Sequence, residues 1–438
     1  MVDAKTVPVQ MPAVPVKTLQ VQVTRGVDLG LQKTVDTDVL SIGTALGNDL
    51  VLADPTVSRF HLELRRRGDS VLVRDLGSTN GTIVREGVLR EGTLSVSAGS
   101  TVTLGQSELR VGDGGVVMVE PPQRADGSSF IGQSAVVRRL LSTVTRVAKS
   151  DASVLLLGES GTGKELLAQE IHRRSPRANK PFVVVDCGAL TPTLFASELF
   201  GHEKGAFTSA DARHEGAFER AEGGTLLLDE VGELPAALQV ALLGALERRS
   251  IRRVGGRTDL PVNVRVLAAT HRNLRSQVNT GTFRLDLFYR LAVVSLEAPP
   301  LRERREDIRA LLEHFLALAG STSSLQTTFP PEALVRLEAH DWPGNVRELR
   351  NVVVSSVALG EPQPPGEDAL SSTPDAPASS GELVQSYRDA RAMLLREFER
   401  TYLSGLLKRS GGNVRQAARD ARMDRSYLVE LLRRHGLG

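Results

Sequence analysis

The run Val154-Leu155-Leu156-Leu157, followed at once by Gly158-Glu159-Ser160-Gly161-Thr162-Gly163-Lys164, constrains this chain more than any other feature. Four apolar residues read as a buried strand, and Glu165 to Arg173 continues in a helical pattern. A glycine-rich loop ending in lysine between strand and helix is a phosphate cradle. Its glycines let successive backbone N–H groups turn toward phosphate oxygens, and the helix N-terminus adds its positive end. Lys164 can then reach the β- and γ-phosphates as a point charge. Glu165 stands where the general motif carries a hydroxyl for Mg²⁺.

The strands around such a loop should be continuous apolar runs in a parallel sheet covered by helices on both faces. Phe182-Val183-Val184-Val185, Thr225-Leu226-Leu227-Leu228 and Val264-Arg265-Val266-Leu267-Ala268 fit that description. The run Thr225 to Leu228 ends in Asp229-Glu230, two carboxylates at the carboxyl end of a strand, where ligands bind in these sheets. Asp229 is placed to position Mg²⁺ and Glu230 to polarise an attacking water. Thr270-His271 closes the next run as a candidate γ-phosphate sensor. Two arginines beyond it, Arg284 and Arg290, are candidates for neutralising charge on the departing phosphoryl group of a neighbouring subunit. A third, Arg347, opens a helix after Asp341-Trp342-Pro343-Gly344 and could report nucleotide state to a lid.

A chain of 438 residues exceeds one hydrophobic core, and 41% hydrophobic residues can build several. Short β-rich pieces with Gly and Asp/Asn turns over residues 17–120 indicate an all-β sandwich. The linker 121–129 leads to an α/β P-loop core at 130–300 and a helical lid at 301–360. A Pro-rich linker at 361–381 precedes an all-α unit at 382–438. That last unit carries twelve Arg/Lys against seven Asp/Glu from Gly381 onward, a local excess suited to a polyanion although the whole chain is only +2. The single cysteine, Cys187, cannot form an internal disulfide and reads as a small buried residue. No apolar run approaches the ~18 residues that cross a bilayer, so no membrane partner and a cytoplasmic location are expected.

The core resembles the AAA+ activators of bacterial sigma-54 RNA polymerase. The most specific stretch is Glu198-Leu199-Phe200-Gly201-His202-Glu203-Lys204-Gly205-Ala206-Phe207-Thr208-Ser209-Ala210, where the family signature reads GAFTGA and this chain reads GAFTSA. An aromatic among Gly and small residues suits a mobile loop better than a core strand. The resemblance implies that Phe207 and Thr208 contact sigma-54, that the subunits form a hexameric ring with a dimer as the resting alternative, and that ATP with Mg²⁺ drives remodelling of the closed promoter complex. Two departures stand out. Ser209 replaces a glycine, and Asp186 replaces the Asn that holds the catalytic glutamate inactive in the family; an Asp there should repel Glu230.

In the tail, Gly412 to Ala421 and Arg425 to Arg434 read as two short helices separated by a tight turn, a helix-turn-helix. Arg422, Arg425, Ser426, Tyr427, Arg433 and Arg434 are left facing DNA once the apolar positions are assigned to a small core. The segment resembles the Fis-type reader that ends this family and implies an upstream, enhancer-like DNA site.

The front sandwich resembles a forkhead-associated domain, on Ser41-Ile42-Gly43, Asn48-Asp49-Leu50-Val51-Leu52, Asp54 to His61 and Asp75 to Thr82. That resemblance implies a phosphothreonine protein partner and a Ser/Thr kinase signal. Ser58 and Arg59 match phosphate-side positions, Asn80 the residue gripping peptide backbone, and His61 a structural position. Thr44 stands where the family usually has Arg. The alternative from a different class is a DNA-binding regulator or scaffold whose ATPase no longer remodels sigma-54.

Overall fold

The computed structural model describes residues 14–35, 39–67, 70–85, 87–119, 130–188, 191–207, 210–320 and 324–365, with Leu403, Val414, Leu428 and Leu432 beyond them. The chain divides into two compact units, Met1–Glu367 and Asp368–Gly438.

The front of the first unit is a sandwich of two sheets. One has six strands in the order Gln32–Val35, Val14–Arg25, Ser107–Val119, Thr101–Leu104, Thr82–Val84, Gly87–Leu89. The other has five, in the order Leu50–Val51, Val39–Gly43, Leu62–Arg67, Ser70–Asp75, Thr93–Ser97. Alternation supplies the core: Leu19, Val21 and Val23 from one sheet meet Leu62, Leu64, Val71 and Val73 from the other, all buried. Asp75 ties the turn after its strand together, accepting from the Ser78 hydroxyl at 2.6 Å, the Thr82 hydroxyl at 2.7 Å and the Gly77 N–H at 3.0 Å. Burial opposes its ionisation, yet these donors hold its carboxyl below the usual range.

His61 is fully buried, with Nδ1 accepting the Ser58 N–H at 3.1 Å and Nε2 3.2 Å from the Gly81 carbonyl. The Nδ1 bond fixes the neutral tautomer with its proton on Nε2, donated to Gly81. Burial lowers its pKa from the ordinary 6.5, outweighing the raising effects of the Gly81 carbonyl, Asp75 and Asp54. As pH falls, the unfolded chain takes up this proton first, so the stability due to neutral His61 is complete above 6.5 and lost below it. The sandwich should therefore lose up to about 1.4 kcal/mol per pH unit just below that value. Urea unfolding followed at pH 7.5 and 5.5 measures this, and an equal loss in His61→Gln would assign it elsewhere.

The ATPase core is a five-stranded parallel sheet in the order Phe182–Asp186, Thr225–Asp229, Arg265–Thr270, Val154–Leu157, Val294–Glu297. The three central strands are buried on both faces, whereas the edge strand Phe182–Asp186 buries only Val185 and leaves Val184 40% exposed. Leu226, Leu228 and Ala268 pack on one side, while Leu227, Leu267 and Ala269 pack on the other against helices Ala135–Ala148 and Lys164–Arg173. Each fully buried Leu contributes about 1.5–3 kcal/mol. The last strand, Val294–Glu297, is a fifth that its short, mixed sequence did not advertise. Arg265 looks out of place in a buried strand, but its guanidinium donates to the carbonyls of Val147 and Ala148 and so caps the first helix.

Helices Ile308–Leu318, Leu325–Thr328, Pro331–Ala339 and Asn345–Leu359 form the lid around buried Trp342 and Phe329. The helix-turn-helix expected in the tail lies outside the described residues, where only Leu403, Leu428 and Leu432 are seen to be buried and helical.

Candidate functional site: a phosphate cradle between sheet and lid

The loop after Val154–Leu157 adopts positive φ at Gly158, Gly161 and Gly163 (146°, 77° and 98°), conformations a side chain would oppose. Gly163 ends the loop in the left-handed region, and Lys164 begins the helix. The Lys164 ammonium folds back over the loop, donating to the carbonyls of Gly158 at 3.0 Å and Glu159 at 3.2 Å. Burial lowers its pKa, partly offset by Glu230 and Asp229. Glu165, on the first turn, bonds only within its helix, to Gln169 at 3.2 Å.

The strands pairing in parallel carry the acidic groups to the same edge. Asp229 is pushed above the usual carboxylate range, first by burial and then by the charge of Glu230, with Asp186 adding to it and Lys164 opposing. Glu230 follows at φ 52° and turns toward both its neighbours. Its Oε1 lies 3.8 Å from the Lys164 ammonium, and its Oε2 accepts from His271 Nδ1 at 2.7 Å and the His271 N–H at 3.2 Å. Thr270 is buried, its hydroxyl accepting the Arg272 N–H at 3.0 Å. Lys164, Asp229, Glu230, Thr270 and His271 thus converge at one end of the sheet.

Asp186 sits at the exposed end of the edge strand, in register with Asp229, and accepts the Gly188 N–H at 2.8 Å. Its charge acts on Asp229, while Glu230 is held by His271.

The lid closes the other side. Arg347 donates to the Ser160 hydroxyl at 2.8 Å. Three residues that sequence reasoning passed over do more. Asn345, fully buried and at φ 53°, donates to Glu159 Oε2 at 3.1 Å and the Ser160 carbonyl at 3.0 Å while accepting the Leu301 N–H at 2.8 Å. Arg302 forms a two-bond fork with Glu159. Arg304 donates to the Thr162 carbonyl at 2.9 Å and lies 5.0 Å from the Phe130 ring; burial pulls its pKa down to about 10. In sequence Arg302 and Arg304 belong to the charged run Arg302 to Asp307, which reads as a solvated face, and Asn345 sits two residues before Arg347.

Arg284 and Arg290 lie apart from this group. Arg284 is paired with Asp286 at 2.6 Å, and Arg290 donates to the Leu246 carbonyl at 2.9 Å. Arg284 precedes the short helix Leu285–Leu291 and Arg290 lies in its last turn, both exposed on the ATPase surface. Phe207 is half-buried, its ring 4.8 Å from that of His202, in a loop closed by Gly205 N–H to Ala210 O at 2.8 Å and Ala210 N–H to Phe207 O at 2.9 Å. Arg253 braces the loop's base, pairing with Glu203 at 2.8 Å and with Glu219. Thr208 and Ser209 lie outside the described residues.

In the front sandwich the Ser58 hydroxyl accepts the Thr79 N–H at 3.0 Å, and Asn80 donates to the Thr56 carbonyl at 2.8 Å. Arg59 is exposed beside them and Thr44 half-buried. Arg422, Arg425, Ser426, Tyr427, Arg433 and Arg434 are outside the described residues. No group of three or more metal-ligating side chains occurs among the described residues.

A glycine cradle with a buried lysine, facing paired carboxylates and clasped by a helical lid, defines a P-loop ATPase of the AAA+ class. Residues 130–297 match the family described as the sigma-54 interaction domain, and 302–386 the AAA+ ATPase lid domain. The chain belongs to the sigma-54-dependent AAA+ transcriptional activators. It is 46% identical over 310 residues to the transcriptional regulatory protein GlrR of Escherichia coli strain K12, covering 70% of this chain and 68% of that one. It is 44% identical over 315 residues to ZraR of the same strain, covering 72% and 70%. Among solved structures, NtrX from Brucella abortus aligns at 38% identity and a TM-score of 0.50, covering 70% of this chain and 69% of NtrX. Residues 22–115 match a family described as the inner membrane component of T3SS, cytoplasmic domain. No helix among the described residues is long and apolar enough to cross a membrane.

Proposed function

We propose that this activator hydrolyses ATP at the Gly158–Lys164 loop and spends the resulting lid and loop motion on the closed promoter complex of sigma-54 RNA polymerase. The observation that carries this is the double clasp on the cradle: Glu230 and His271 on the sheet side, Asn345, Arg302, Arg304 and Arg347 on the lid side. A phosphate arriving there competes for the donors that now hold the loop, so nucleotide state is felt on both sides.

In this reading Lys164 and the backbone N–H groups of Glu159, Ser160, Gly161, Thr162 and Gly163 bind the phosphates, with Glu165 following in the first turn of the helix. Asp229 would hold Mg²⁺, whose charge would favour the ionised carboxylate against the burial that raises its pKa. Glu230 takes the proton of the attacking water, with His271 orienting it and Thr270 beside the γ-phosphate. Arg284 and Arg290 complete the site of the next subunit in a hexamer. Phe207 and Thr208 meet sigma-54. The tail reads upstream DNA through Arg422, Arg425, Ser426, Tyr427, Arg433 and Arg434.

The front sandwich is proposed to read phosphothreonine through Ser58, Arg59 and Asn80, with a Ser/Thr kinase upstream. A hydroxyl and a guanidinium suit phosphate oxygens. The decisive measurement follows ATP hydrolysis and open-complex formation together, with sigma-54 polymerase on a promoter carrying the upstream site. Both should rise with activator concentration. ATP turnover without open complexes would favour the regulator whose ATPase is uncoupled, a reading that Asp186 and Ser209 keep in view.

A further inference from the structure

The loop between strands Leu50–Val51 and Leu62–Arg67 has two faces. Ser58 and Arg59 belong to the candidate phosphate end, but the next residue, Phe60, is fully buried and is absent from the sandwich's own core. It packs instead with Ala45 and Leu76 in the ATPase cluster containing Leu274, Val278, Leu287 and Phe288. Its ring meets that of Phe288 edge-on, centroids 5.2 Å apart at 65°, and the Arg275 guanidinium lies 5.7 Å from its centroid.

Polar contacts fix the register of this contact. The Asn279 amide donates to the carbonyls of Phe60 and of Leu76, the latter at 3.0 Å, and its oxygen is 3.4 Å from the Phe60 N–H. Arg275 pairs with Glu63 at 2.8 Å with both side chains mostly buried, and Arg65 pairs with Glu297. A Cβ built at Gly47 would stand 2.9 Å from the Tyr289 ring, so a side chain there would displace that ring. An aromatic plug, an amide clamp and two ion pairs on one patch make a specific surface rather than a chance collision.

What the surface holds is the helix pair Leu274–Asn279 and Leu285–Leu291. The second has seven residues, too short to be stable without packing. It begins after Arg284 and carries Arg290. Tyr289 faces the sandwich, whereas Arg290 donates toward Leu246 within the ATPase, so the dock covers one flank and leaves the arginine flank uncovered. We infer that this helix pair is the docking surface for the chain's own front sandwich, and that the Phe60 dock splints the helix on which the two arginines are mounted. The inference about the arginines rests on their proposed role in the neighbouring site.

Glu63 and Arg275 provide the test, because a charge pair can be broken from either side and remade reversed. In the full chain, Glu63→Arg and Arg275→Glu should each speed amide exchange over residues 274–291 by about tenfold, leaving residues 225–229 unchanged. The two together should restore slow exchange, and Asn279→Ala should resemble the single changes. ATP turnover should fall in the single variants and recover in the double. Unchanged exchange in the single variants, or a double variant as fast as either, overturns the dock. A rise in turnover on release overturns the splint. If Arg284→Ala and Arg290→Ala leave turnover intact while exchange behaves as stated, the arginine role fails and the dock stands.

Discussion

Glu230→Gln should lower ATP turnover by about 10²–10⁴-fold, the usual contribution of a positioned general base, while nucleotide still binds. Gln keeps the size of the side chain and can keep a hydrogen bond to His271, whose ring is 2.7 Å from the carboxylate. It removes only the capacity to take a proton. On the sheet side Glu230 stands 3.8 Å from the Lys164 ammonium, which is itself bonded to the Gly158 and Glu159 carbonyls, and Gln keeps the bulk of that side chain. Binding of a fluorescent ATP analogue should therefore survive, and removing the negative charge 3.8 Å from Lys164 should favour the anionic ligand. A turnover loss of less than about tenfold would move the base elsewhere. Asp229, one residue earlier, should behave differently: Asp229→Asn is expected to weaken the response to Mg²⁺.

Phe207→Ala should separate chemistry from work. The ring packs on His202 at the head of a loop closed by its own backbone hydrogen bonds and braced at its base by Arg253. None of these contacts reaches Lys164, Asp229 or Glu230. Hydrolysis should remain close to that of the unaltered chain, whereas open-complex formation should drop by more than about tenfold, equivalent to about 1.4 kcal/mol of lost coupling. Remodelling depends on contacts made differently in two nucleotide states, and a truncated side chain has little surface left to make them. Parallel loss of both activities would mean that the loop supports the ATPase fold instead.

The cradle, the carboxylate pair and the polar end of the Arg265–Thr270 strand were legible because they are local: a strand, its terminal residues and the following turn lie within ten positions. Lid contacts were not. Asn345 and Arg302 reach Glu159 across most of the ATPase, and nothing in a charged run such as Arg302 to Asp307 distinguishes buried arginines from solvated ones. His271 was legible as a polar residue closing a buried strand, but its grip on Glu230 depends on the left-handed turn at Glu230 and the parallel register of the neighbouring strands.

The amino-acid sequence by itself determined that this chain binds phosphate, which strands form the centre of its sheet, and which family its core belongs to, because glycine spacing and apolar runs act over a few residues. Tertiary structure alone decided which groups clasp the cradle and where Phe60 goes. A phenylalanine beside Ser58 and Arg59 could have filled the sandwich's own core. It is buried instead against Phe288 and Asn279, more than two hundred residues away, because burial rewards any apolar partner and only the packed chain says which one is there.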